Sequence, residues 1–422
     1  MTHPPISTVN RLFVGSPLRR RRSALITISV LLAALTFATV QILGILANLR
    51  SDAVPVFGVA LVASALLSIV PIAIVGFLDR RERESPWAIA TALLWGGIIA
   101  TGLSAPMNGQ IIGAIADWLT DNPAIQEILG DNATLLIGAP IAGPLVEETI
   151  KGIGILALLI FLNAEFDNMR DGFIYGALVG IGFNGLESAL YLAQNYAEYG
   201  FAPWGLQLGG RFALFGLGGH ALYSGILGLF LGVTLQTTRQ WIRIGAPIVG
   251  WGLAVLAHAI NNALGLAVAL AGNAVGVPPS NAGAPPNLGF FQFWVQKSIF
   301  DFVVFLPFIL LVLVLLWRSG RWERQVIREE LLEEVGNTVT PTEYERIRQD
   351  KPFHNRHIGS ANQRMARQLV IAQNELAFRK RRVRLQNEPL ATDSLATDPL
   401  VQGWRMEVAR LRSILPEGDP LS

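Results

Sequence analysis

A helix needs about 20 apolar residues in a row to cross the hydrocarbon core of a bilayer, and this chain meets or approaches that length eight times. The runs lie near residues 24–48, 54–78, 86–105, 136–162, 172–195, 207–235, 245–272 and 298–317. Nothing else limits the fold so strongly, because inside lipid every backbone N–H and C=O must be satisfied within a helix or a closed barrel. The expected class is therefore all-α: a polytopic helical membrane protein with about eight transmembrane helices, followed by a mostly helical tail. The basic stretch RLFVGSPLRRRRS before the first run could open a signal peptide. The apolar run behind it, Ala24 to Leu49, is longer than an h-region of about 7–15 residues, so a retained span is expected.

Only 15% of the 422 residues are charged, against about 25% in an average soluble domain. From Arg318 onward lie 18 of the 33 Lys and Arg and 15 of the 31 Asp and Glu, which leaves the rest more apolar still. Arg19 to Arg22, Arg80, Arg81, Arg83, Arg170, Arg239, Arg243, Arg318, Arg321 and Arg324 fall on one side if the runs alternate in direction. The positive-inside rule makes that side, and with it both termini, cytoplasmic. Residues 106–135, read as an outer loop, hold no Lys or Arg, and 273–297 hold only Lys297. Arg211 reads as a side chain snorkelling to the outer interface.

Three regions follow. Residues 1–23 form a basic N-terminus, 24–317 a transmembrane domain and 318–422 a cytoplasmic tail able to offer a surface to a partner protein. In the tail, TPTEYERIRQ begins with an N-cap and a first-turn Pro, and NQRMARQLVIAQNELAFRKRRVRLQ has apolar residues at helical spacing. Its cluster Arg379 to Arg384 reads as a solvated helix face, with contact to anionic headgroups as the alternative. A net charge of +2 with both signs mixed provides no basic stripe, which sets nucleic-acid binding aside. The absence of cysteine excludes disulfides, a thiolate nucleophile and Cys-ligated zinc.

The interiors of the first three runs contain no Asp, Glu, Lys, Arg or His, whereas the next four contain Glu147, Glu148, Lys151, Glu187, His220 and His258. Each charged side chain near the bilayer centre costs at least ~2.5–3.5 kcal/mol, so such groups normally face one another or a wet cavity. At 1.5 Å rise per residue they fall at compatible depths, in the middle to outer half of the membrane. Lys151 is four residues from Glu147 and three from Glu148, so it can lie beside either. His258 and Asn262 share one helix face, as do Phe183 and Glu187. Gly-rich neighbours, YGALVGIGFNGLE and FGLGGHALYSG, permit close helix approach. The plain alternative is polar glue between helices. Glu165 and Asp167 read as solvated loop charges, and Asp301 as a marker of the outer interface.

Paired buried carboxylates suit general-base chemistry, because like charges resist double ionisation and one can be tuned to accept a proton from water. Imidazoles and an amide can then place that water and donate to a developing oxyanion. The motifs EETIK (Glu147 to Lys151) and FNGLE (Phe183 to Glu187), followed by HALYS and HAINN, resemble those of PrsW-type intramembrane proteases, within the wider superfamily of CAAX-processing and bacteriocin-processing membrane proteases. The resemblance covers residues 140–270. It implies a multi-spanning peptidase in a bacterial cytoplasmic membrane acting on a membrane-associated protein, an anti-sigma factor in the best-known case. It also implies catalytic roles for Glu147, Glu148, Glu187, His220, His258 and Asn262, with Lys151 and Phe183 in support. No cofactor is fixed by this reading. Zinc held by His220, His258 and Glu148 is one alternative, although no HExxH occurs, and direct glutamate–histidine catalysis is preferred. Two rival classes remain at this point: a proton-coupled transporter, for which no repeated halves are visible, and a membrane scaffold acting through its tail.

Overall fold

The computed structural model describes residues 16–78, 84–162, 166–264, 266–267, 270–271, 289–350, 363–386 and 391–414. Arg80, Arg81, Arg83, Glu165, His354, His357 and the segment VPPSNAGAPPN lie outside the described residues. Those described form helices, with one isolated bridge between Val335 and Val339 as the only β pairing among them. In chain order the helices are α1 (Arg21–Ala47), α2 (Ala53–Leu78), α3 (Pro86–Leu94), α4 (Thr101–Thr120), α5 (Pro123–Leu129), α6 (Ala133–Phe161), α7 (Met169–Tyr199), α8 (His220–Val233), α9 (Gln240–Asn262), α10 (Phe290–Val304), α11 (Leu306–Leu332), α12 (Pro341–Arg348), α13 (Gln363–Gln386), α14 (Ala391–Thr397) and α15 (Pro399–Ser413).

Six helical stretches among the described residues are long and apolar enough to cross a bilayer, and α10 with α11 makes a seventh if this pair, bent by 71°, is one span. The 29-residue α6 is not among the six and carries Glu147, Glu148 and Lys151 near its middle. With α6 included, all eight apolar runs correspond to helices. The chain is a polytopic all-α membrane protein.

Three runs differ from a simple span. The third does not stop near residue 105. It passes through a π-turn at Trp95–Ala100 and continues as α4, so most of the expected outer loop 106–135 is helical. Met107, Ile111, Ile115 and Trp118 keep a three- or four-residue spacing there, which sustains a helix. The sixth run breaks before α8. Leu214 and Phe215 have φ of 49° and 58°, a left-handed conformation that costs a non-glycine residue energy and persists only where its surroundings impose it. Freed backbone groups in the break are satisfied by side chains: Ser298 accepts from Leu214 N–H at 2.9 Å, and Trp294 Nε1 donates to Phe212 O at 2.8 Å. This is how a membrane protein tolerates irregular backbone. The eighth run bends between α10 and α11, and α11 runs on past residue 317 into the tail without interruption.

The bundle is centred on α7, which is buried along most of its length. Its N-terminus is fixed by a capping box in which Asn168 and Asp171 satisfy each other's backbone donors. Along one face, Gly176 and Gly180 meet α8 so closely that a Cβ at either would overlap the carbonyl oxygen of Ser224 or His220 respectively. Small residues at four-residue spacing let two membrane helices touch backbone to backbone. Here they bring the first residue of α8, His220, against the polar face of α7.

The tail folds as a helical body on the end of α11. Thr340 and Glu343 form the expected capping box at α12, with Pro341 in its first turn. Val326, Ile327, Leu331, Leu376 and Val401 share a core. The cluster Arg379 to Arg384 is not a solvated face but a set of cross-helix pairs. Lys380, only 1% exposed, donates to Glu330 O at 2.7 Å and pairs with Glu334 at 2.9 Å, while Arg405 pairs with Glu334 at 2.6 Å. Burial alone would raise the Glu334 carboxyl, but hydrogen bonds from Arg405, Lys380 and Thr338 outweigh it and hold the group at about 2.

Removing one partner of a buried pair strands the other charge, so Lys380→Met is expected to destabilise the tail by ~3 kcal/mol or more, measured by hydrogen exchange of α11 and α13 in the intact protein. Because the Glu334 carboxyl is depressed on folding, its stabilisation is fully present above the ordinary value of 4.5 and disappears as pH falls toward 2. A difference between wild type and Glu334→Gln that persists unchanged at the bottom of that window contradicts this account.

Candidate active site

The site grows from three residues of α6. Glu147, Glu148 and Lys151 are 4%, 0% and 0% exposed. An ammonium in such a place must be paired on every side. Lys151 Nζ donates to Glu148 Oε1 at 2.9 Å and to Glu147 Oε2 at 3.4 Å, lies 2.9 Å from His220 Nδ1, and sits over the Phe183 ring 3.6 Å from its centroid. That last contact adds a cation–π attraction in a water-poor place.

From this centre the network reaches α7, α8 and α9. His220 Nε2 lies 3.0 Å from Glu187 Oε2 on α7, and Arg211 pairs with the same oxygen. Ser224, one turn beyond His220 on α8, donates to Glu148 Oε2 at 3.0 Å. His258 Nδ1 on α9 lies 3.0 Å from Glu148 Oε1, and its Nε2 lies 4.0 Å from Glu147 Oε2. Asn262, one turn further on, donates from Nδ2 to Ala139 O at 3.0 Å and accepts from Asn261 at 3.1 Å. Glu147 Oε1 accepts from Asn108 Nδ2 at 3.1 Å. Glu147, Glu148, Glu187, His220 and His258, together with Lys151 and Phe183, therefore occupy one connected cluster, while Asn262 contacts Ala139 and Asn261 and shares a cavity with them.

Partner chemistry assigns the tautomers. An ammonium has only donors, so His220 Nδ1 accepts from Lys151 and Nε2–H donates to Glu187. An ionised carboxylate has only acceptors, so His258 carries its proton on Nδ1 and turns the Nε2 lone pair toward Glu147. A cavity of about 430 Å³ opens beside the cluster, lined by Glu147, Glu187, His220, His258 and Asn262 but not by Glu148. Two buried polar atoms of lining residues, Tyr223 Oη and Asn108 Oδ1, have no hydrogen-bond partner among the described residues. The Tyr223 ring stacks on His258, with centroids 5.1 Å apart and planes at 18°.

Three residues are placed differently from the sequence reading. Arg211 does not snorkel to the interface. The break before α8 turns it inward to Glu187, where it lines the cavity. Asp301 does not mark the membrane surface. It is buried and paired with Lys297, which also donates to Asn261 Oδ1 at 3.1 Å at the cavity wall. Asp167, read as a solvated loop charge, pairs with Arg382 of the tail. Asn108 was missed because it belongs to residues read as loop. The signal for Arg211 was present, since an intramembrane Glu187 requires a counter-charge close in space.

A family model, described as PrsW family intramembrane metalloprotease, matches residues 84–315. The chain belongs to the PrsW family. Among its relatives, Protease PrsW of Oceanobacillus iheyensis is 35% identical over 88 residues, 21% of this chain and 36% of that protein. Protease PrsW of Bacillus subtilis is 37% identical over 87 residues, 21% of this chain and 35% of that protein, and that of Geobacillus kaustophilus is 34% identical over 92 residues, 22% and 36%. The chain thus spans about a third of the length of these curated relatives. No solved structure matches. The residues of this PrsW family member that could share an ion are Glu147, Glu148, His220 and His258, each of which offers a ligand atom within 4.8 Å of the others.

Glu187 and Arg211 are expected to depend on each other. Arg211→Met strands a buried carboxylate and should cost ~3–5 kcal/mol. The double variant Arg211→Met/Glu187→Leu should regain a substantial part of that in a thermal unfolding cycle in detergent. Additive losses in the cycle would show that the pair does not exist.

Proposed function

We propose that this chain is an intramembrane endopeptidase that hydrolyses a peptide bond of a membrane-associated protein, with Glu147 as the general base. The observation that carries this reading is the unequal treatment of the two adjacent glutamates. Glu148 is closed off from the cavity and receives Lys151, Ser224 and His258. Glu147 lines the cavity and, among the described residues, accepts hydrogen bonds only from Asn108 and, at longer range, Lys151. A base must face its water and keep a lone pair free, and only Glu147 does both.

Water held between Glu147 and the Nε2 lone pair of His258 gives a proton to Glu147 as its oxygen attacks the scissile carbonyl carbon. The second N–H of the Asn262 amide and the unpartnered Tyr223 hydroxyl are available to donate to the oxygen that becomes negative. Preorganised donors in a dry site stabilise such a charge strongly. Glu147 then returns its proton to the departing nitrogen as the C–N bond breaks, leaving an acid and an amine. Glu148, Lys151, Glu187 and His220 position these groups.

The family description names a metal, and a dication there would polarise the carbonyl or activate water. The donor set does not fit one as it stands. The Lys151 ammonium already contacts Glu147, Glu148 and His220, three of the four residues that would hold the ion. His220 has no lone pair left, since Nδ1 accepts from Lys151 and Nε2 faces Glu187.

In this reading the protein sits in a bacterial cytoplasmic membrane with both termini in the cytoplasm. Residues 1–23 are its basic N-terminus, 24–317 its transmembrane domain with the catalytic core at 140–270, and 318–422 its tail, open to a cytoplasmic partner. An anti-sigma-like membrane protein is the substrate class the family resemblance supplies.

The test uses purified protein in detergent with a membrane-protein substrate. Glu147→Gln is expected to lower cleavage by about 10²–10⁴-fold while leaving the unfolding temperature close to wild type. Glu148→Gln is expected to lose both activity and stability, since it weakens the partner of a fully buried lysine. Chelators are expected to leave the rate unchanged. Full cleavage by Glu147→Gln, chelator inactivation reversed by zinc, or solute flux driven by a pH gradient in place of cleavage would each overturn the proposal.

A further inference from the structure

A second polar cavity, of about 460 Å³, lies at the end of the bundle where the tail meets the membrane domain. It is enclosed by the links from α6 to α7 and from α8 to α9, the start of α9, part of α11 and the tail helix α13. Its described lining contains three guanidinium groups, those of Arg243, Arg381 and Arg382, against one carboxylate, Asp167.

The three arginines are not equally committed. Arg382 is neutralised, pairing with Asp167 and donating to Phe166 O at 2.5 Å. Arg381 has only loose contacts, 3.5 Å to Glu329 and 3.7 Å to Glu330, and Glu330 is itself held by Arg384 at 2.9 Å. The Nε–H of Arg381 is buried without a hydrogen-bond partner among the described residues. Arg243, on the first turn of α9, makes no ion pair among the described residues. Two hydroxyls complete the lining. Thr237 accepts from Arg239 N–H at 3.2 Å, which leaves its own proton free to donate, and Thr238 stands beside it. Unused donors, one positive charge without an ion pair and a second only loosely paired, all around one cavity, define a place for an anion with several acceptor oxygens.

We infer that this cavity binds a phosphate group, and by doing so ties the start of α9 to the tail helix α13. A phosphate presents several acceptor oxygens in the geometry that arginine forks and hydroxyls match best. Its source is either a phospholipid headgroup or a soluble phosphate. The wall formed by Trp322, stacked on Phe378, suits the apolar part of a lipid next to its headgroup, where amphipathic rings prefer to sit. The site is separate from the glutamate cluster and does not depend on the peptidase reading.

The test uses the full chain in nanodiscs, with unfolding temperature and tryptophan fluorescence as readouts. One arm compares phosphatidylcholine discs with discs containing phosphatidylglycerol. The other titrates inorganic phosphate against chloride at equal ionic strength into phosphatidylcholine discs. Stabilisation by phosphatidylglycerol alone identifies a headgroup, and stabilisation by inorganic phosphate identifies a soluble source. In either case Arg243→Gln and Arg381→Gln should each weaken binding by roughly tenfold, the effect of losing one charge-assisted hydrogen bond, while both variants unfold like wild type without the anion. No response in either arm, or a response that both variants retain in full, overturns the inference.

Discussion

The ammonium of Lys151 is the interaction on which the membrane domain depends. A charge at that depth is tolerated only if it is paired, and its partners come from two other helices as well as its own: Glu147 and Glu148 on α6, Phe183 on α7 and His220 on α8. Glu148 extends the connection to α9 through His258, and His220 extends it to Glu187 and Arg211. Taken singly, these groups would each be expensive in lipid. Together they are mutually satisfying, which converts the cost of burial into a requirement for one particular arrangement of helices.

Backbone geometry does the rest. Gly176 and Gly180 allow α7 and α8 to touch, and the break at Leu214 and Phe215 starts α8 at His220. The exposed N-terminus of a helix therefore falls inside the bundle, and the interrupted chain before it carries Arg211 inward. Strain of this kind persists where surrounding contacts over-determine it. Trp294 and Ser298 of α10 supply those contacts. The break near the start of one apolar run is thus held by the helix that opens another, and the cavity lies between them.

Much of this was legible in the residues. The eight apolar runs identified the helices because the bilayer demands length and apolarity together. The six ionisable side chains identified the cluster because their cost in lipid leaves few alternatives to meeting. What pattern alone could not show was where a run is broken. Residues 207–235 are predominantly apolar, and hydropathy is blind to the left-handed backbone at Leu214 and Phe215 that reverses the direction of Arg211. Asn108 escaped because helix α4 extends into a stretch whose polar residues read as loop. Asp301 and Lys297 looked superficial because the 71° bend after α10 is set by tertiary contacts, not by local composition. In the tail, periodicity found the helices, but the partners of the basic cluster lie as much as 216 residues away in sequence, as for Arg382 and Phe166.

The two imidazoles report most directly on whether an ammonium organises the site. The chain has only five histidines, so ¹⁵N solid-state NMR of the protein in lipid can resolve the two inside the membrane. Lys151 as the central cation requires opposite tautomers, with the proton of His220 on Nε2 and that of His258 on Nδ1. Finding that pair, with a contact between Lys151 Nζ and His220 Nδ1, is the result this account predicts. Matching tautomers, or nitrogen shifts of metal-bound imidazole at His220, would contradict it.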